Sequence, residues 1–213
     1  MAQAIYVGAE GIQAFSNLEK LFAESENWPA EKRIRAGERG GKKLEGCDFG
    51  NSPRECTPET FAGRRLFIST TNGTRALQRI QAAPMVLTAA LVNRASVVDY
   101  LLMHQPESVW LVSSGWEGSY ALEDTVCAGA IVDAIARKTG QPLATLVDND
   151  EMFGAVALYQ QWKNDLLTLL RQSSHGQRLL RLNNPEDIEF CAQLDVLPIV
   201  AHQTAVGLLQ KGG

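Results

Sequence analysis

The stretch "RRLFISTTNGTRALQRI", residues 64–80, decides the fold. Its apolar run Leu66 to Ile68 gives way to a cluster of hydroxyl, carboxamide and glycine residues, and then to apolar positions at helical spacing. It therefore reads as strand, loop and helix. Upstream, "GIQAFS" (11–16) and "NLEKLFAESE" (17–26) repeat the pattern, with Ser16 or Asn17 as the helix cap. Downstream, "PMVLTAAL" (84–91) leads past the cap residue Asn93 to the helix "RASVVDYLLMHQ" (94–105). "SVWLVSSG" (108–115) then leads through "WEGSY" to the helix "ALEDTVCAGAIVDAIARKTG" (121–140), which closes on Gly140. Successive strand-loop-helix units predict an α/β protein with a largely parallel sheet. Right-handed crossovers would deliver each strand-to-helix loop to the carboxyl edge of that sheet, where residues distant in sequence converge.

Beyond residue 150 the pattern turns helical, in "MFGAVALYQQWKNDLLTLLRQS" (152–173) and in "NPEDIEFCAQL" (184–194), which has Pro185 in its first turn. One domain over residues 1–213 is expected, with 145–150 as the place where a sheet-rich part gives way to a helical one. The 213 residues, 45% hydrophobic, suffice for a sizeable core. No apolar run reaches the ~20 residues of a membrane span, and the start "MAQAIYVGAEG" has no leader pattern, so a cytoplasmic protein with no membrane partner is expected. The net charge of −4 argues against a nucleic-acid partner. Cys47, Cys56, Cys127 and Cys191 are scattered, as are His104, His175 and His202, which disfavours a disulfide framework or a thiolate-imidazole metal centre.

Chemistry concentrates in three polar loops. "AGERGGKK" (36–43) approaches a phosphate-binding P-loop but has Ala36 for the first glycine and Lys43 where a magnesium-binding hydroxyl is needed, so an NTPase is rejected. Glu38, Arg39 and Lys42 still offer charge beside Gly40 and Gly41, and a plain surface turn is the competing reading. In "STTNGTR" (69–75), a phosphate could take backbone amides, the helix dipole and Arg75. The equally balanced alternative is a capped turn in which Asn72-Gly73 permits positive φ. "GWEGSYALEDTVCAGA" (115–130) puts Glu117 in a loop and Glu123 and Asp124 in a first helical turn, acids that suit either the dipole or Mg²⁺. "LATLVDNDEM" (143–152) resembles a dehalogenase-type phosphatase nucleophile motif but has Met152 at its Thr/Val position, so Asp148 and Asp150 read as capping residues.

Together "GERGGKKLEGCDFGNSP" (37–53), "STTNGTRAL" (69–77) and "GWEGSYALEDTVCAGA" (115–130), continued by "SSHGQRLL" (173–180) and "DIEFCAQLDVLPIV" (187–200), resemble the 2-phosphosulfolactate phosphatase family along nearly the whole chain. The resemblance implies a layered α/β/α fold with a mixed, largely parallel sheet. It also implies a Mg²⁺-dependent phosphatase that hydrolyses 2-phospho-3-sulfolactate to 3-sulfolactate and phosphate on a route to coenzyme M. Glu38, Arg39, Gly40, Gly41, Asp48, Asn51 and Ser52 match its first motif, Thr70 to Arg75 its second, and Glu117, Gly118, Glu123 and Asp124 its third.

Chemistry then assigns Mg²⁺ to carboxylates among Glu38, Glu117 and Asp124. Phosphate or substrate falls to Thr70, Thr71, Asn72, Gly73, Thr74, Arg75, Gly40, Gly41, Lys42 and Asn51, and the catalytic roles to Glu38, Arg39, Arg75 and Glu123. The family resemblance also places an additional strand and an "IDVLRATTT"-like segment ahead of the position matched by Met1. Their loss would leave a sheet edge open to self-association into a homo-oligomer. The second function class carried forward is an anion-binding remnant of the fold without turnover.

Overall fold

The computed structural model describes residues 1–116 and 118–212. The chain divides into two compact units, a sheet unit of residues 1–88 and 199–213 and a helical unit of residues 89–198. Residues 145–150 lie inside the helical unit, and the divisions fall after Thr88 and after Pro198.

The sheet unit contains β1 (Gly11–Ala14), β2 (Arg33–Arg39), β3 (Lys42–Lys43), β4 (Arg65–Ser69), β5 (Leu87–Thr88), β6 (Ala201–Ala205) and β7 (Leu208–Lys211). They form one mixed sheet in the order β3-β2-β4-β1-β7-β6-β5. Its core is parallel, with Ile34 of β2, Leu66 of β4 and Ile12 of β1 in register, and antiparallel pairs extend it on both sides. Central β4 buries Leu66, Phe67, Ile68 and Ser69 in succession, as expected of a strand covered on both faces. Helices α1 (Ala2–Tyr6), α2 (Leu18–Glu26), α3 (Pro58–Phe61) and α4 (Gly73–Ile80) belong to this unit, with α2 against β4, α4 against β1 and α1 against β7. Asn17 caps α2 as expected, its side-chain oxygen accepting from Lys20 N at 2.8 Å. Because β1, β2 and β4 run parallel, they end at Ala14, Arg39 and Ser69 on one edge.

The helical unit comprises α5 (Arg94–His104), α6 (Leu122–Thr139), α7 (Leu143–Leu146), α8 (Asp150–Trp162), α9 (Leu166–Gln172), α10 (Ser174–Arg181) and α11 (Pro185–Cys191). Val126, Ala130, Tyr159, Leu166, Leu169, Leu170 and Ile188 form its main core. The small residues of "CAGA" let α6 approach α8 closely: a Cβ on Gly129 would sit 2.0 Å from the Ala155 carbonyl oxygen. Polar ties reinforce the packing. Arg94 forms an ion pair with Asp195 and donates to the Tyr159 hydroxyl at 2.7 Å, while Asp195 also accepts from Ala95 N at 2.6 Å.

The structure corrects several expected elements. "SVWLVSSG" is not a strand: no ladder includes residues 108–115 among the described residues, and Trp110 is 86% exposed. Its alternation is strand-like, but a strand exists only through a partner's backbone, and none is supplied. "PMVLTAAL" contributes just Leu87–Thr88, paired antiparallel with β6 before a 3-10 turn at Leu91–Asn93. Parallel strands therefore deliver the loops after β1, β2 and β4 to one edge, whereas the third motif follows no strand among the described residues. The β6–β7 hairpin, turning at Gly207 with φ 75°, lies in a part of the chain expected to be helical.

Candidate active site

The parallel edge of the sheet unit gathers the first two motifs. Gly40 and Gly41 form the two-residue turn between β2 and β3, with φ 63° and 72°. Two successive positive φ angles are what a type I′ hairpin requires, so "ERGGKK" is a hairpin tip and not a P-loop. This turn folds Glu38 back under the neighbouring loop. Glu38 is only 8% exposed. Its Oε1 accepts from Thr71 N at 2.9 Å and from Thr71 Oγ1 at 2.8 Å, while Oε2 accepts from Gly41 N at 2.9 Å. Donors from two loops thus converge on one carboxylate, each a charge-assisted bond stronger than a neutral one.

Arg39 lies across the same edge, donating through Nη1 to the Glu38 carbonyl at 2.7 Å and through Nη2 to Ser69 Oγ at 2.8 Å. The 70–75 loop is held from within: Thr70 Oγ1 accepts from Thr74 N at 3.2 Å, and buried Thr74 donates through Oγ1 to the Thr70 carbonyl at 3.0 Å. These bonds cap α4, whereas Asn72 makes no side-chain cap. Neither Asn72, at φ −118°, nor Gly73 adopts positive φ. The glycine is therefore not needed for the turn: a Cβ on Gly73 would meet only Thr70 Oγ1, at 3.5 Å. The absent side chain instead leaves the backbone at the start of α4 open to approach. Arg75 is exposed in that first turn, Lys42 and Asn51 are exposed in the first motif, and Asp48 is committed to β2, accepting from Arg35 N at 2.8 Å.

The third motif forms its own arrangement in the helical unit. Asp124 Oδ2 accepts from Gly115 N at 2.9 Å and from Ser114 Oγ at 3.3 Å, fastening the preceding loop to the start of α6. Trp116 and Ser119 exchange backbone hydrogen bonds of 3.0 and 2.8 Å, closing a tight turn with Gly118 at φ 82°. Glu117 lies outside the described residues, and Glu123 is half-buried in the first turn of α6. Among the described residues no three His, Cys, Asp or Glu side chains come together to hold a metal. Of the expected Mg²⁺ set, Glu38 belongs to the sheet unit and Asp124 to the helical unit, while Glu117 lies outside the described residues; carboxylate oxygens of this kind suit Mg²⁺ in chemistry. Burial pushes the Cys127 thiol up to about 12, which removes it as a thiolate nucleophile at neutral pH.

A known group of sequences matches nearly the whole chain. Residues 1–205 match the profile of the 2-phosphosulpholactate phosphatases. The chain belongs to that family. Probable 2-phosphosulfolactate phosphatases from Thermosynechococcus vestitus and Microcystis aeruginosa are 58% and 55% identical to it over 211 residues, 99% of this chain and 86% of each relative. A third from Nostoc punctiforme is 57% identical over the same length.

The helical unit also holds a cleft of about 630 Å³ lined by Trp116, Gln172, Ser174, Gln177, Arg178 and Arg181. None of these six stands among the expected site residues. The signal available in sequence was the pair Arg178 and Arg181, three apart on one helix, in and just after the family-like "SSHGQRLL".

Proposed function

We propose that this phosphatase-family chain hydrolyses a small phosphorylated acid, 2-phospho-3-sulfolactate in the first instance, to the hydroxy-acid and phosphate in the presence of Mg²⁺. The observation that carries this reading is the edge of the sheet unit, where Arg39, the buried Glu38 and the start of α4 meet around the 70–75 loop. Arg39 spends two guanidinium donors on the chain itself and keeps others for phosphoryl oxygens. The Asn72 and Gly73 amides, ahead of the Thr74 and Arg75 amides that are committed within the turn, and the exposed Arg75 side chain add donors at the positive end of the helix. In the hydrolysis, a water oxygen forms the new bond to phosphorus, the ester P–O bond breaks, and the departing alkoxide takes a proton. Donors fixed before the reaction stabilise the equatorial oxygens without reorganising.

Glu38 raises an electrostatic requirement. Its carboxylate would repel a phosphate dianion at the same loop, and a hard divalent cation relieves that repulsion. Mg²⁺ supplies charge neutralisation when bound. The Glu38 latch meanwhile keeps Thr71 and Gly41 in place.

The test is phosphate release by the intact chain from 2-phospho-3-sulfolactate and a panel of phosphorylated hydroxy-acids, with Mg²⁺ and with EDTA. Release that requires Mg²⁺ and is fastest on the sulfonated substrate supports the reading. Calorimetric binding of substrate with no release would overturn it in favour of an anion-binding remnant. Cys127→Ser should retain hydrolysis, since a water attacks; complete loss with unchanged circular dichroism would contradict that route.

A further inference from the structure

Ser69 closes β4 at the parallel edge and is 0% exposed, a hydroxyl side chain at the end of a strand that otherwise buries Leu66, Phe67 and Ile68. Burying a hydroxyl is costly unless a hydrogen bond offsets the lost water. Here the partner is charged: Ser69 Oγ accepts from Arg39 Nη2 at 2.8 Å. Sheet register explains how the two meet. Ser69 stands opposite Gly37 of β2, and Arg39, two residues further along β2, falls on the same face of the sheet by strand alternation. The second tether of Arg39, from Nη1 to the Glu38 carbonyl at 2.7 Å, engages the other arm of the guanidinium. A planar group held through both terminal nitrogens keeps one orientation. The residue after Ser69 is Thr70, so the hydroxyl fastens Arg39 to the foot of the 70–75 loop. With no exposed surface, Ser69 cannot itself touch a substrate, and any effect it has on chemistry passes through Arg39.

We propose that Ser69 is a positioning residue of the phosphatase site. Its buried hydroxyl holds the Arg39 guanidinium at the foot of the 70–75 loop, so that the remaining Arg39 donors meet phosphoryl oxygens without reorganising. This inference rests on the hydrolysis proposed above for the same edge. A hydroxyl that serves only its own burial would act differently, because the effect of removing it would not depend on Arg39.

The experiment is a double-mutant cycle on the intact chain, read in kcat/KM for the best substrate of the phosphorylated hydroxy-acid panel and in the inhibition constant of inorganic phosphate. Ser69→Ala removes a single oxygen, and circular dichroism verifies that the fold is kept. In this variant kcat/KM should fall about tenfold, as a displaced Arg39 loses its alignment, and inhibition by phosphate should weaken with it. In the Arg39→Met background the same substitution should change either quantity by less than about twofold. Ser69→Thr, which keeps the hydroxyl, should recover most of the loss. An unchanged kcat/KM in Ser69→Ala, or an equal fold loss in both backgrounds, overturns the proposal while leaving the hydrolytic reading intact. A wild type that releases no phosphate from any member of the panel overturns the hydrolytic reading instead, and the cycle is then decided by the same two criteria on phosphate affinity measured by calorimetry.

Discussion

The sheet unit and the helical unit build polar sites by different means. At the edge of the sheet unit, backbone topology does most of the positioning: parallel strands end together, a Gly-Gly hairpin turns back, and a buried glutamate collects donors from two loops. In the helical unit the cleft is made of side chains, arginines on one face of α10 and a tryptophan from a distant turn. Sites of the first kind are visible as loop motifs, because glycines and hydroxyl residues must cluster wherever the chain turns. Those of the second kind are spread over more than one segment and emerge only from packing.

This contrast can be broken by substitution. The largest expected effect lies in the helical unit. Gly129→Val drives a side chain into the Ala155 carbonyl, 2.0 Å from the first added carbon. The crossing of α6 and α8 cannot absorb it without a backbone shift, so stability should fall by about 3 kcal/mol. Thermal denaturation followed by circular dichroism reads this directly, and an unchanged midpoint would contradict the close packing.

A smaller effect, in the sheet unit, combines stability with function. Glu38→Gln replaces a carboxylate that accepts three hydrogen bonds by a carboxamide whose nitrogen accepts none. A loss of about 2 kcal/mol is expected from the weakened charge-assisted bonds. Phosphate release should fall by about 100-fold or more, because the donors of the loop lose their fixed positions. Full activity in a destabilised variant would separate the latch from the chemistry.

The smallest effect concerns acid. Arg35 and Arg33 hydrogen-bond to Glu26 and hold its carboxyl below the usual value of 4.5. A depressed carboxyl contributes stability above its unfolded pKa, and that contribution is lost as pH falls through the lower folded value. Wild type should therefore lose stability on acidification below about pH 4.5 more steeply than Glu26→Gln, in denaturant midpoints measured across that range. Equal slopes would show that the exposed cluster contributes nothing to acid sensitivity.

Much of the sheet unit was legible in the sequence. β1, β4, α2 and α4 follow from periodicity, and Asn17 acts as the cap its position predicts. The 108–115 stretch shows the boundary of such reading. Its residues favour a strand, but propensity is local whereas pairing depends on a partner elsewhere in the chain. The β6–β7 hairpin escaped because "AHQTA" carries few apolar residues, and its pairing is decided by β1 and β5. At the site, the loop motifs were legible while the destination of their hydrogen bonds was not. Thr71 could be read as a phosphate donor, yet its amide and hydroxyl both serve Glu38.

Gly73→Ala tests the central claim, that the 70–75 loop takes phosphate, most directly. The substitution finds only Thr70 Oγ1 at 3.5 Å and requires no change of φ. Alanine in a first helical turn should hold or raise the thermal midpoint. The inhibition constant for inorganic phosphate should nevertheless weaken by about tenfold, as the added methyl obstructs approach to the backbone. An unchanged inhibition constant with an unchanged midpoint would mean that phosphate does not sit there.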